Sequence, residues 1–199
     1  KNKKEKFKVD DIIETFEISD MSKASSIFDH HKLDWLCGQY TREADTDTLT
    51  ELAIPYLQTA GFIPADESKI DKTRLRLIVD ATKNNISCIS QIIQEADIFF
   101  KDIMISHTHA EFLSSEISKS VLTSFYQELQ KLNTFSPQIF KEILTIVHEK
   151  TKINGKELYL PIRIALTGKE HGPELHSIIN ILGINTCKKR IERFLFVKR

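Results

Sequence analysis

The residues best suited to chemistry gather between positions 154 and 183. Arg163, Lys169, His171 and His176 lie in or beside a short polar stretch, 167–172, that separates two runs of apolar periodicity. Hydrogen-bond donors on a tight loop next to a helix start suit nucleic-acid recognition. A helix N-terminus presents unpaired N–H groups, and loops held by a scaffold carry binding residues. Arg42 is the second candidate, placed directly after an amphipathic segment. As a surface residue it balances the last carbonyls of its helix; facing nucleic acid it offers a planar donor fork to a base edge or phosphate. Other chemistry has little footing. His107 and His109 stand two apart, whereas a ligand pair on one helix face is spaced by three or four, and no third ligand accompanies them. They read as unrelated polar residues. No nucleophile–base pair, paired carboxylates or Gly-rich phosphate loop stands out.

The elements that must position the loop are legible from local rules. Asn154-Gly155 is a turn dipeptide, and Pro161 suits the first turn of a helix, where its missing N–H costs nothing. Ile162, Ala165 and Leu166 share a face, and Gly168 can supply a left-handed C-cap. Gly172-Pro173 opens the next helix, whose stripe of Leu175, Ile178, Ile179 and Leu182 ends at Gly183. Leu175 lies on that stripe, so it reads as core as readily as contact.

The run Pro161-Ile162-Arg163-Ile164-Ala165-Leu166-Thr167-Gly168, followed by His171-Gly172-Pro173-Glu174-Leu175, resembles the C-terminal anticodon-binding region of bacterial glutamyl-tRNA synthetases. A second block agrees. Ser26-Ile27-Phe28-Asp29, Lys32-Leu33-Asp34-Trp35-Leu36 and Tyr40-Thr41-Arg42 are similar to that family's phenylalanine–aspartate, lysine–leucine–x–tryptophan and tyrosine–x–arginine run. The resemblance spans nearly the whole chain. It implies an all-α fold of class I synthetase anticodon-binding type, with RNA contacts on Arg42, Arg163, Thr167, Lys169, Gly172, Pro173 and Leu175. It implies glutamate tRNA as partner, leaves glutamine tRNA open as a second one, and implies a monomer. Cys37 stands where the family usually has asparagine, so a polar contact from that position is not carried over. The stretch Asp20-Met21-Ser22-Lys23-Ala24-Ser25 is a poor match to the lysine–serine loop with which class I synthetases hold ATP phosphates, and no His-Ile-Gly-His tetrapeptide occurs. The resemblance therefore places ATP and magnesium in a separate catalytic domain, with no cofactor in this fragment.

Composition sets the outer limits. Lys and Arg number 28, as do Asp and Glu, so global charge favours no partner, and 41% apolar content is ordinary for a globular chain. Charge is uneven: residues 1–8 carry five lysines against Glu5, 188–199 carry six basic residues against Glu192, and 43–71 carry seven acids against Lys69. Cys37, Cys88 and Cys187 are scattered and odd in number, which suits reduced thiols in the cytoplasm, not a disulfide frame. No apolar run approaches a membrane span, no signal peptide precedes the fold, and a lysine-rich start without methionine suggests a fragment.

Helices are expected over 9–16, from the cap Asp29 to Tyr40, from Asp47 to Ala60, and over 71–83, 86–100, 116–132, 136–150 and 188–196, with 103–113 a short helix or loop. Leu33, Leu36 and Tyr40 are expected on one face with Trp35 in the core beside it. Pro64 marks a division into a stem-contact lobe, 1–64, and an anticodon-binding lobe, 65–199. Against the RNA-binding reading stands a helical protein–protein adaptor, which neutral charge and many helices also permit. A gathered positive patch would favour the first, a contiguous apolar patch the second.

Overall fold

The computed structural model describes residues 6–7, 9–21 and 27–196 of the 199. Among these, every regular element is helical. The helices are α1 (Val9–Thr15), α2 (His30–Glu43), α3 (Thr46–Thr59), α4 (Lys72–Thr82), α5 (Ile92–Phe100), α6 (His107–Leu113), α7 (Glu116–Gln130), α8 (Pro137–Thr151), α9 (Gly155–Thr167), α10 (Leu175–Leu182) and α11 (Ile184–Leu195). Parts of both basic ends, 1–5, 8 and 197–199, lie outside the described residues, as does most of the methionine–serine–lysine stretch, at 22–26.

Short polar side chains start most of these helices. Asp29, Asp45, Asp71, Ser106, Ser115 and Ser136 each accept the N–H three residues on, satisfying a donor that the helix itself cannot pair. Ser136-Pro137 opens α8 as expected. The cap of α3 is Asp45, not Asp47, and α11 begins at Ile184, a turn before the expected Lys188. Pro161 is inside α9, not at its start, because Gly155 already begins the helix. Its missing N–H leaves only the Glu157 carbonyl, in the first turn, without a helical donor.

A continuous apolar core runs from Leu49 to Ile191. The helix α7 lies at its centre, packed on α8, α9 and α11, with Val121, Leu122, Phe125 and Leu129 wholly buried. A second group, α3, α4 and α5, packs around Leu57, Ile78 and Ile92. Helix α10, with Ile178 and Ile179 wholly buried, touches both groups and so joins the two bodies of helices. The loop after α3, where the sequence places a change of lobe, runs between α3 and α4, which pack on each other. Burying one large apolar side chain contributes about 1.5–3 kcal/mol, so these residues dominate the fold. Polar groups reinforce it. Buried Glu128 on α7 accepts from Lys131 at 2.8 Å and from Lys150 of α8 at 2.7 Å, and these two bonds hold its carboxyl below the ordinary range.

The first two helices differ. Helix α1 buries no side chain, and α2 buries only Gly38. Trp35, expected in the core, is 48% exposed, and Leu33 and Tyr40 are also exposed. Leu52, Tyr56 and Ile117 likewise face outward. An apolar stripe shows that a face favours cover; it does not show that the same stretch of chain supplies it.

Candidate nucleic-acid interface

The loop 167–172 is tied down from four directions. Within it, the Thr167 hydroxyl donates to the Arg163 carbonyl at 2.7 Å and accepts the Lys169 N–H at 3.1 Å. Gly168 closes α9 at φ 72, and a Cβ there would stand 2.5 Å from the Met104 carbonyl oxygen. Only glycine fits that conformation and that approach. From α5, the Lys169 ammonium is held by the Gln94 carbonyl at 2.7 Å and by Asp97 at 2.8 Å. From α6, His109 Nδ1 lies 3.1 Å from the Gly168 carbonyl oxygen and its Nε2 3.4 Å from Glu170. His109 is therefore part of the loop's support, contrary to the reading of it as an unrelated polar residue.

From α11 comes Arg190, only 5% exposed. Its Nη1 donates to the Leu166 carbonyl at 2.6 Å, while Nη2 reaches Ile98 at 2.8 Å and Lys101 at 3.1 Å. One planar fork thus joins the end of α9 to the end of α5. Burial lowers its pKa, yet a guanidinium in a protein keeps its charge. The sequence placed Arg190 with Lys188 and Lys189 as one basic cluster. Burial of Arg190 removes it from any such surface.

The expected contact residues sort by what they already touch. Thr167 and Pro173 are buried, and Leu175, 3% exposed, belongs to the core stripe of α10. Lys169 already pairs its ammonium with α5. Arg163 is half-buried: Nη1 donates to the Pro173 carbonyl at 2.8 Å, and Nη2 and Nε have no partner among the described residues. Burial lowers its pKa and the Glu174 charge opposes that shift. Gly172, at φ 137, brings its backbone close to the same guanidinium, 3.9 Å from where a Cβ would lie. Arg163, Thr167, Lys169, Gly172, Pro173 and Leu175 therefore form one constellation at the α9–α10 junction. Arg42 is on another element, and no hydrogen bond or ion pair links α2 to that junction. Helix α2 instead meets the body where the Thr41 hydroxyl donates to the Ser87 carbonyl at 2.9 Å. Arg42 is exposed and makes no hydrogen bond or ion pair among the described residues. Its guanidinium lies over Gly38, where a Cβ would be 3.1 Å from Nη1.

Residues 48–195 match the family model described as an anticodon binding domain. The chain belongs to that family. It is 34% identical over 189 residues to a glutamate–tRNA ligase of Bacillus velezensis, an alignment covering 94% of this chain and 39% of the relative. With glutamate–tRNA ligase 1 of Caldicellulosiruptor saccharolyticus it shares 36% over 193 residues, 96% of this chain and 40% of the relative. The chain thus spans about two fifths of the length of the curated relatives it matches. A glutamate tRNA ligase from Elizabethkingia meningosepticum, solved in complex with its amino acid, superposes with a TM-score of 0.76 at 18% identity. That superposition covers 94% of this chain and 36% of the other, and it shows the fold to be the same.

In the chain as a whole, sequence reasoning missed residues that act through others. Gly38 and Arg42 are four apart on one helix, a spacing that could have shown the glycine as the seat of the arginine. His109 and Arg190 gave no such signal, since their partners lie 59 and 24 or more residues away.

Proposed function

We propose that the chain is the tRNA-binding, anticodon-recognising part of a glutamate–tRNA ligase, which acts in the cytoplasm and whose catalytic domain joins glutamate to tRNA using ATP and magnesium. The observation that carries this reading is the family match over 48–195. The geometry supports it: two arginines retain unpaired donors, one on α2 and one at a loop with several fixed supports. Single-stranded anticodon bases can be splayed and read on their edges by such forks. In this reading residues 1–64 meet the tRNA stem and also carry Arg42, which reaches the anticodon, while residues 65–199 hold the remaining anticodon contacts; the division is one of roles, not of packing. Thr167, Lys169, Gly172, Pro173 and Leu175 shape the surface that the bases meet. The chain itself takes no cofactor.

Binding of glutamate tRNA and of variants altered at each anticodon position, at fixed salt, tests this. Loss of one good bidentate base contact costs about 1–3 kcal/mol. Arg42→Lys keeps charge but not the fork, so it should lose nearly as much discrimination as Arg42→Ala, and Arg163→Lys should lose preference at a different position. Equal weakening of every variant would make these arginines phosphate contacts. No binding of any tRNA would remove the reading. The chain alone should support no glutamate-dependent pyrophosphate exchange, and observed exchange would place catalysis in it.

A further inference from the structure

Beside the loop 167–172, the segment between α5 and α6 forms the other wall of a cavity of about 370 Å³, lined by Ile98, Lys101, Asp102, Met104, Gly168 and Lys169 among others. Both walls are fixed. Arg190 holds the Ile98, Lys101 and Leu166 carbonyls, and Gly168 abuts the Met104 carbonyl. On this fixed backbone the Met104 side chain is 90% exposed. A thioether left in water on a tethered segment gains nothing for the fold, and methionine is a soft, polarisable surface for an aromatic ring.

Both carboxylates lining the cavity are already paired. Asp97 pairs with Lys169 at 2.8 Å, Asp102 pairs with Arg193 at 3.2 Å, and the Lys101 ammonium stands 4.8 Å over the Phe62 ring. Lys169 is thereby spent, and Lys101 keeps its charge over an aromatic face with no ion pair among the described residues. The N–H groups of residues 102–104, which line the cavity, make no hydrogen bond with another described residue, so backbone donors are left there. An apolar wall, paired carboxylates and free backbone donors suit a planar ring with hydrogen-bonding edges. We infer that this cavity takes one unpaired nucleobase of the anticodon arm, laid against the Met104 thioether. This rests on the RNA-binding reading above and adds to it a base-binding pocket outside the arginine-bearing constellation.

The test is binding of the glutamate tRNA anticodon stem-loop to the 199-residue chain, with Met104→Ala and Met104→Leu, over a range of salt. Met104→Ala should weaken binding roughly 3- to 10-fold by removing the surface under the ring, while Met104→Leu, which keeps apolar area without the sulfur, should fall between it and wild type. The salt slope should not change, because no phosphate contact is lost. Stem-loops made abasic at one position at a time should include one that wild type and Met104→Ala bind equally. Met104→Ala binding as wild type does, or lowering the salt slope, overturns the pocket and leaves the RNA reading standing. No binding by wild type overturns both. The exposure of Met104 keeps folding out of the result, and an unchanged urea midpoint verifies that.

Discussion

Helices α1 and α2 and the body from α3 to α11 are built from similar amphipathic patterns, yet only the body buries them. In the body, wholly buried apolar residues recur on nearly every helix, and buried charged groups are paired or hydrogen-bonded. In α1 and α2 a comparable share of apolar residues stays outside, and Gly38 alone is buried. Periodicity records a demand for cover, and cover is a property of the neighbours. The two regions should therefore respond in opposite ways to the same substitutions.

The largest effect is expected at Arg190. Removing the fork leaves three carbonyl oxygens without their charged donor, so Arg190→Ala should destabilise the chain by about 2–4 kcal/mol. Arg190→Lys should recover only part, because one ammonium does not span carbonyls on two segments. Urea midpoints at constant slope measure this, and an unchanged midpoint would show the fork to be dispensable. Next comes Glu128. Its lowered pKa contributes stability that is fully present above the ordinary carboxylate value and is lost as pH falls through the folded value. Glu128→Gln should cost about 1–2 kcal/mol near neutral pH and progressively less toward pH ~3. A difference that persists unchanged in acid would locate the effect in packing.

Gly38→Ala should have a smaller and divided effect. Alanine inside a helix is favoured over glycine by about 1 kcal/mol, so stability should hold or rise slightly. The new methyl group would displace the Arg42 guanidinium, and RNA affinity should fall by about 1 kcal/mol. Affinity and stability moving together would contradict the seat assigned to Gly38. The smallest effect belongs to Ile12→Ser and Trp35→Ser, each within about 0.5 kcal/mol by urea unfolding, as for other exposed positions. A loss of several kcal/mol there would erase the distinction between the two regions.

What could be read in advance was whatever is decided within one helical turn. Asp29, Asp71 and Ser136-Pro137 as starts, and Gly168 and Gly183 as ends, follow from the local need to satisfy backbone groups or adopt a left-handed turn. Pro161 was misplaced because proline is best tolerated in a first turn, whereas here α9 begins six residues earlier and forgoes the Glu157 bond. The candidate contact residues were legible as a cluster, since five of them lie within 163–173. What each side chain does there was not. Lys169 reads as a free cation until α5 brings Asp97 to it, and Arg190 reads as a surface residue until two carbonyl-bearing segments converge on it.

Those segments also give the loop a timetable. The Arg190 fork joins carbonyls at 98, 101 and 166, so the earliest of its partners precedes it by 92 residues. On a ribosome, α5 and α9 leave the exit tunnel before the residue that fastens them together. Until Arg190 emerges, the Gly168 turn and the Met104 segment lack the charged clasp between them. A nascent chain stopped short of α11 can form its apolar core in part and still present an unset loop. Recognition should therefore appear late in synthesis, after most of the helices are already in place.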